Sequence, residues 1–199
     1  MNDLNKDFLK KYQKVSLGRE NRDHQRMREI LLDTDTLRLL HASIGICGEA
    51  GELIEAYANP NLEIDRINVI EEIGDILFYI VIVCDVTGFS FQDFCDPPIK
   101  IDTVEPQRLV HSIMINSSHL MDQMKKSVFY CRGTEPNKLF PHLKTLSQTI
   151  RSLIGAIDSD IREVLSKNDQ KLAQRTGTVF SKDKVLNRNL EKERDELEK

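Results

Sequence analysis

Apolar positions along the chain fall into helical stripes separated by turn residues. Over 36–57 they recur at three- and four-residue steps, and Thr34 or Asp35 can cap the start, so the spacing predicts a helix. Asn59-Pro60-Asn61 reads as a turn. The next helix is predicted over about 63–86, ended by Gly88, and is the most apolar of the chain. Its run from Ile76 to Cys84 holds nine apolar residues. That is about half a membrane span, so it reads as a buried core helix. Residues 5–32 read as one or two polar, charged helices, with Leu9, Tyr12, Met27, Ile30 and Leu31 as apolar points. Residues 88–105 read as a short helix and a Pro-rich connector, with further helices over about 106–127 and 138–167. Residues 168–184 read as a structured loop, and 185–199 as a charged helix, solvated or docked on a narrow edge. Long windows free of proline favour an all-α fold.

The pattern also contains a faint repeat. "LLHASIGICGEAGELIEA" (39–56) lies over "LVHSIMINSSHLMDQMKK" (109–126), pairing His41 with His111, Glu49 with His119 and Glu52 with Asp122. "IGDILFYIVI" (73–82) lies over "LSQTIRSLIG" (146–155). Two helices are echoed in order with most acids lost, so the chain reads as a pseudo-dimer with a degenerate second half. The segments expected are an N-terminal helical piece (1–35), a catalytic half (36–95), a second half (96–167) and a basic tail with a final helix (168–199).

Composition narrows the function. The 199 residues carry a net charge of −4, which argues against non-specific nucleic-acid binding as the main task. Four cysteines (Cys47, Cys84, Cys95 and Cys131) show no CxxC spacing and read as reduced thiols of a cytoplasmic protein. The charged N-terminus shows no apolar core of a signal peptide, and no membrane span is expected.

The chemistry lies in "GICGEAGE" (45–52) and "EEIGDILFYIVIV" (71–83). Glu49 and Glu52 are three apart on one helix, and Glu72 and Asp75 are three apart on the next. Asp75 directly precedes the apolar run, where an uncompensated carboxylate is costly. Two such groups side by side repel each other, and a divalent cation removes both costs. With no thiol or imidazole in the set, Mg²⁺ fits, and Mn²⁺ is the alternative. Glycines at 45, 48 and 51 leave a bare stripe beside the acids, for a cation and phosphates or for close helix packing. A lone ExxE is usually salt-bridged or solvated, whereas two spaced pairs on consecutive helices, one of them apolar, favour the metal. Glu55 and Glu71, beside the quartet, read as solvated or supporting acids. There is no GxxxxGK[ST] loop, so a P-loop ATPase is not expected. A di-iron bundle would want Glu-x-x-His pairs, which neither acid pair provides.

"GEAGELIEA" followed by "VIEEIGDILFYIV" resembles the ExxE…ExxD signature of the MazG-like, all-α nucleoside triphosphate pyrophosphohydrolases, the superfamily that includes the dimeric dUTPases. "NDQKLAQRTGTVFSKDKVLNRNLEKE" (168–193) is similar to the tail of many MazG-like proteins, with Thr176 where the family usually has Tyr. The resemblance implies an all-α helical bundle and hydrolysis of a nucleoside triphosphate, here a dNTP, to monophosphate and pyrophosphate. It implies Glu49, Glu52, Glu72 and Asp75 as Mg²⁺ ligands. Lys171 and Arg175 become phosphate contacts assisted by Asn168, and the chain a homo-oligomer, dimer or tetramer. Glu52 is the acid chosen as general base. His41, two turns before Glu49, together with Phe78 and Tyr79, is a candidate for the base or sugar, against core packing for Phe78 and Tyr79 and a satisfied, partly buried histidine for His41. The rival reading is a non-catalytic helical nucleotide sensor or scaffold of the same fold.

Overall fold

The computed structural model describes residues 6–57, 64–97, 105–176 and 190–198. The turn at 59–61, most of the connector before 105, and 177–189 lie outside the described residues.

Every regular element among the described residues is helical. In chain order they are α1 (Lys6–Leu17), α2 (His24–Leu31), α3 (Thr34–Tyr57), α4 (Arg66–Thr87), α5 (Gln92–Cys95), α6 (Pro106–Phe129), α7 (Phe140–Ala156), α8 (Ile161–Thr176) and α9 (Leu190–Glu198), with a 3₁₀ turn at Pro136–Lys138. The all-α expectation holds.

Local chemistry sets the ends. The Asp65 carboxylate accepts from the backbone N–H groups of Ile67 (3.0 Å) and Asn68 (3.2 Å) and so starts α4. Gly88 ends α4 in the left-handed region at φ 73°, its N–H donating to the Cys84 carbonyl. α4 is packed from two sides, by α3 and α8. That is why its apolar residues surround the helix instead of forming one stripe, with Val69, Ile70, Ile73, Ile76, Leu77 and Ile80 all fully buried.

α3 and α4 form one antiparallel pair and α6 and α7 another, and the two pairs meet through α3 against α6. Each pair buries a row of residues on its inward faces. Leu39, Ser43, Ile46 and Ala50 are buried on α3, as are Leu109, Ile113, Asn116 and Leu120 on α6. Ile70, Ile73, Leu77 and Ile80 on α4 match Leu143, Leu146, Ile150 and Leu153 on α7.

Three expectations need correction. The helix expected over 36–57 begins at Thr34, and its start is capped not by Thr34 or Asp35 but by Asp33, whose carboxylate accepts from the Thr36 N–H at 2.8 Å. The helix predicted over 138–167 is two helices, broken at Ile157–Asp160. Asp158 adopts φ 50°, and the Asp160 carboxylate caps α8 by accepting from the N–H groups of Arg162 (2.7 Å) and Glu163 (2.9 Å). The loop predicted from 168 is helical up to Thr176. α8 is then pinned to its neighbours. Arg66 donates to both Glu163 oxygens and to the Ile157 carbonyl, and Arg175 forks onto Glu193 of α9 at 3.1 and 2.6 Å.

Candidate metal centre

The α3–α4 pair carries the acids where the two helices face each other. Glu49 of α3 and Glu72 and Asp75 of α4 each bring a carboxylate oxygen within 4.8 Å of the others. Glu72 is buried and Asp75 mostly covered, its side chain 17% exposed. Burial, followed by the charges of Asp75 and Glu52, pushes the Glu49 carboxyl up to about 7. Burial and the surrounding acids, Glu52 and Glu71 foremost, push Glu72 up to about 8. Near neutral pH the metal-free pair therefore retains protons that a cation would displace. The donors are all carboxylate oxygens, close together and short of positive charge, which is what a hard divalent cation requires.

Glu52 is exposed and lies outside this group of three, yet near enough for its charge to raise both Glu49 and Glu72. The structure therefore brings together three of the four expected acids, with the fourth at the open edge.

α8 closes the other side. Its inward positions Val164, Asn168 and Lys171 are buried. The Asn168 amide donates to Asp75 Oδ1 at 2.6 Å, and Lys171 Nζ donates to Asp75 Oδ2 and to Glu71 Oε1, the latter at 3.1 Å. Lys171 is 0% exposed, so its charge is neutralised inside the protein by two carboxylates. Arg175, one turn further, is half-buried. Its bidentate pairing with Glu193, and then the charges of Asp75 and Glu71, hold its guanidinium above the ordinary value.

The glycine stripe serves two purposes. A Cβ on Gly45 would lie 2.5 Å from the Tyr79 ring, so Gly45 is the seat of that ring. Gly48 and Gly51 face open space beside the acids. Tyr79 stands edge-on to His41, ring centroids 5.5 Å apart, and to Phe78 at 5.2 Å. Burial, then the charges of Glu49 and Asp75, raises the Tyr79 hydroxyl. His41 is exposed, and so is Phe78 at 42%, so the packing reading of Phe78 gives way to a surface aromatic.

Sequence reasoning missed Gly74 and Glu193. A Cβ on Gly74 would lie 2.9 Å from the Asn168 Cβ, so Gly74 permits the close approach of α8. The glycine interrupting an apolar helix next to Asp75 was the available signal. Glu193 sits in a charged segment with nothing to distinguish it from its neighbours.

A family model described as the MazG nucleotide pyrophosphohydrolase domain matches residues 40–108. The match takes in His41, all four acids, most of α3 and all of α4, and stops short of α8. No curated protein and no solved structure gives a match to the chain.

Proposed function

The chain is MazG-like over residues 40–108, and from that premise we propose that it is a divalent-cation-dependent nucleoside triphosphate pyrophosphohydrolase. It converts a (d)NTP, a dNTP by preference, to the monophosphate and pyrophosphate, as a nucleotide-pool enzyme of the cytoplasm. The convergence of Glu49, Glu72 and Asp75 on one place, inside the family-matched segment, carries this reading. These three would hold the cation, Mg²⁺ or Mn²⁺. When bound, it neutralises charge on the triphosphate and stabilises the departing pyrophosphate.

The chain's own residues supply the rest. Glu52, outside the ligand group and exposed, is the general base. It takes a proton from the water that attacks the α-phosphorus, as the bond from that phosphorus to the bridging oxygen breaks. We assign Arg175, held by Glu193, to the triphosphate. Lys171 balances the charge of Asp75 and Glu71, with Asn168 beside it. His41, Phe78 and Tyr79 offer an aromatic surface to the base or sugar.

The matched burial registers support the second half as a degenerate copy, with His119, Asp122, Thr145 and Gln148 where the site acids stand in the first. Homo-oligomer formation is supported by the exposed apolar stripe of α1, made by Phe8, Leu9, Tyr12 and Val15. An apolar groove of about 320 Å³ between α3 and α6, lined by Leu40, Ile44, Met121 and Phe129, supports it further.

The test is a panel of NTPs and dNTPs incubated with Mg²⁺, the products separated by ion exchange. Monophosphate plus pyrophosphate from at least one nucleotide is expected. Tight nucleotide binding without turnover, with Mg²⁺ and Mn²⁺ both tried, would shift the reading to a nucleotide sensor.

A further inference from the structure

α8 meets the acid cluster through two side chains, and each takes a different oxygen of Asp75. Asn168 donates to Oδ1 and Lys171 to Oδ2. Neither donor is a surface group, since Lys171 is fully buried and Asn168 nearly so. An aspartate carboxylate rotates easily, because its terminal torsion is broad. Donors on both oxygens, from a helix itself tied to Glu193 and Arg66, remove that freedom. Gly74 completes the device. A Cβ there would come within 3.0 Å of Asn168 Nδ2, so a larger residue would push the amide away from Asp75.

We propose that Asn168 is a positioning residue that fixes the orientation of Asp75 for cation binding, with Gly74 providing the space it needs. The inference rests on the reading of Glu49, Glu72 and Asp75 as cation ligands. It gives Asn168 a different role from the phosphate contact implied by the family resemblance. Lys171 shares in holding Asp75, but it also brings a positive charge against the cluster. Its removal would combine lost orientation with lost repulsion of the cation. Asn168 is neutral, so its removal isolates orientation.

The experiment is Mn²⁺ binding to the full-length, metal-free protein without nucleotide, read from the electron paramagnetic resonance signal of free Mn²⁺. Wild type, Asp75→Asn, Asn168→Ala and Gly74→Ala are compared, and each is melted in EDTA by circular dichroism. Wild type should bind and Asp75→Asn should not. Asn168→Ala and Gly74→Ala should each bind at least about tenfold more weakly, the range seen when a partner of a metal ligand is removed. A purely structural role for Asn168 would lower the melting temperature in EDTA and leave the Mn²⁺ affinity of the folded protein unchanged. Wild-type affinity in Asn168→Ala, with binding lost in Asp75→Asn, overturns the positioning role and spares the ligand assignment. Absence of Mn²⁺ binding in wild type overturns both. If Asn168→Ala fails to fold, Asn168→Gln, which keeps the amide but moves it by one methylene, carries the same test with the same expected loss.

Discussion

At the scale of single residues, the site is a problem of too many carboxylates for the available cations. Glu49 and Glu72 are raised to about 7 and 8, against an ordinary value of 4.5. In the window between 4.5 and those values the folded, metal-free protein binds more protons than the unfolded chain. Its stability therefore falls as pH rises through that window. Thermal melts in EDTA should show this decline towards pH of about 8, and saturating Mn²⁺ should flatten it, because the ligands are then deprotonated throughout. The acids also divide by role. Glu72→Gln should lose both Mn²⁺ binding and turnover. Glu52→Gln should keep Mn²⁺ binding within a few-fold and lose about 10²–10⁴-fold in kcat, as expected for a general base. Equal loss of Mn²⁺ affinity in the two variants would make Glu52 a ligand instead. The acid pairs themselves were legible in the sequence, because a carboxylate next to nine apolar residues requires a partner. The pairing was not, because the resemblance sets Lys171 and Asn168 against phosphate, and only the packing of α8 turns them onto Asp75.

At the scale of elements, the same point explains what pattern reading found and missed. α3 and α4 announce themselves through apolar spacing. α8 does not, because part of its inward face is Asn168 and Lys171, which pack against acids instead of oil. From Asn168 onward the buried stripe is polar, so the hydrophobic period is lost and the segment reads as a loop. The break before it was hidden in "IDSDIRE", where Asp160 caps the new helix inside an otherwise continuous pattern. Asp160→Ala should cost about 1 kcal/mol of stability, as for other N-caps, measured by denaturant midpoint. Glycines on α3 separate just as sharply by surroundings. Gly45→Ala would drive a methyl into the Tyr79 ring and should destabilise by about 1–3 kcal/mol. Gly48→Ala meets nothing and should stabilise by up to about 1 kcal/mol through helix propensity. Equal effects from the two substitutions would contradict the packing described for Tyr79. Between α6 and α7, His142 stacks on His119, ring centroids 4.7 Å apart, and its Nδ1 lies 3.3 Å from Asn116 Oδ1. Burial, then the His119 charge, lowers His142 below 6.5. Its contribution is therefore full above the unfolded value and declines as pH falls through it, opposite in sign to that of the acid pair. The difference between wild type and His142→Gln across pH of about 5–8 isolates it.

At the scale of the whole molecule, two helical pairs meet at α3 and α6, and among the described residues the three-carboxylate cluster lies on the α3–α4 pair. With the proposed site on Glu49, Glu72 and Asp75, Mn²⁺ binding should vanish in Glu72→Gln and be unchanged in Asp122→Asn. The all-α architecture was legible because long proline-free amphipathic stretches allow little else. Oligomeric state was not, since an exposed apolar stripe such as that of α1 does not specify a partner. Light scattering should report a dimer or tetramer, and Phe8→Glu with Tyr12→Glu should shift it towards monomer. Among the described residues no helix is long and apolar enough to cross a membrane.

The central claim is that this carboxylate cluster directs water to the α-phosphorus of a nucleoside triphosphate. Hydrolysis in ¹⁸O-labelled water with Mg²⁺, the products read by mass spectrometry, tests it most directly. One label in the monophosphate, none in the pyrophosphate, and loss of both products in Asp75→Asn is the expected result. Label in the pyrophosphate, release of diphosphate and inorganic phosphate, or turnover that survives Asp75→Asn would contradict it.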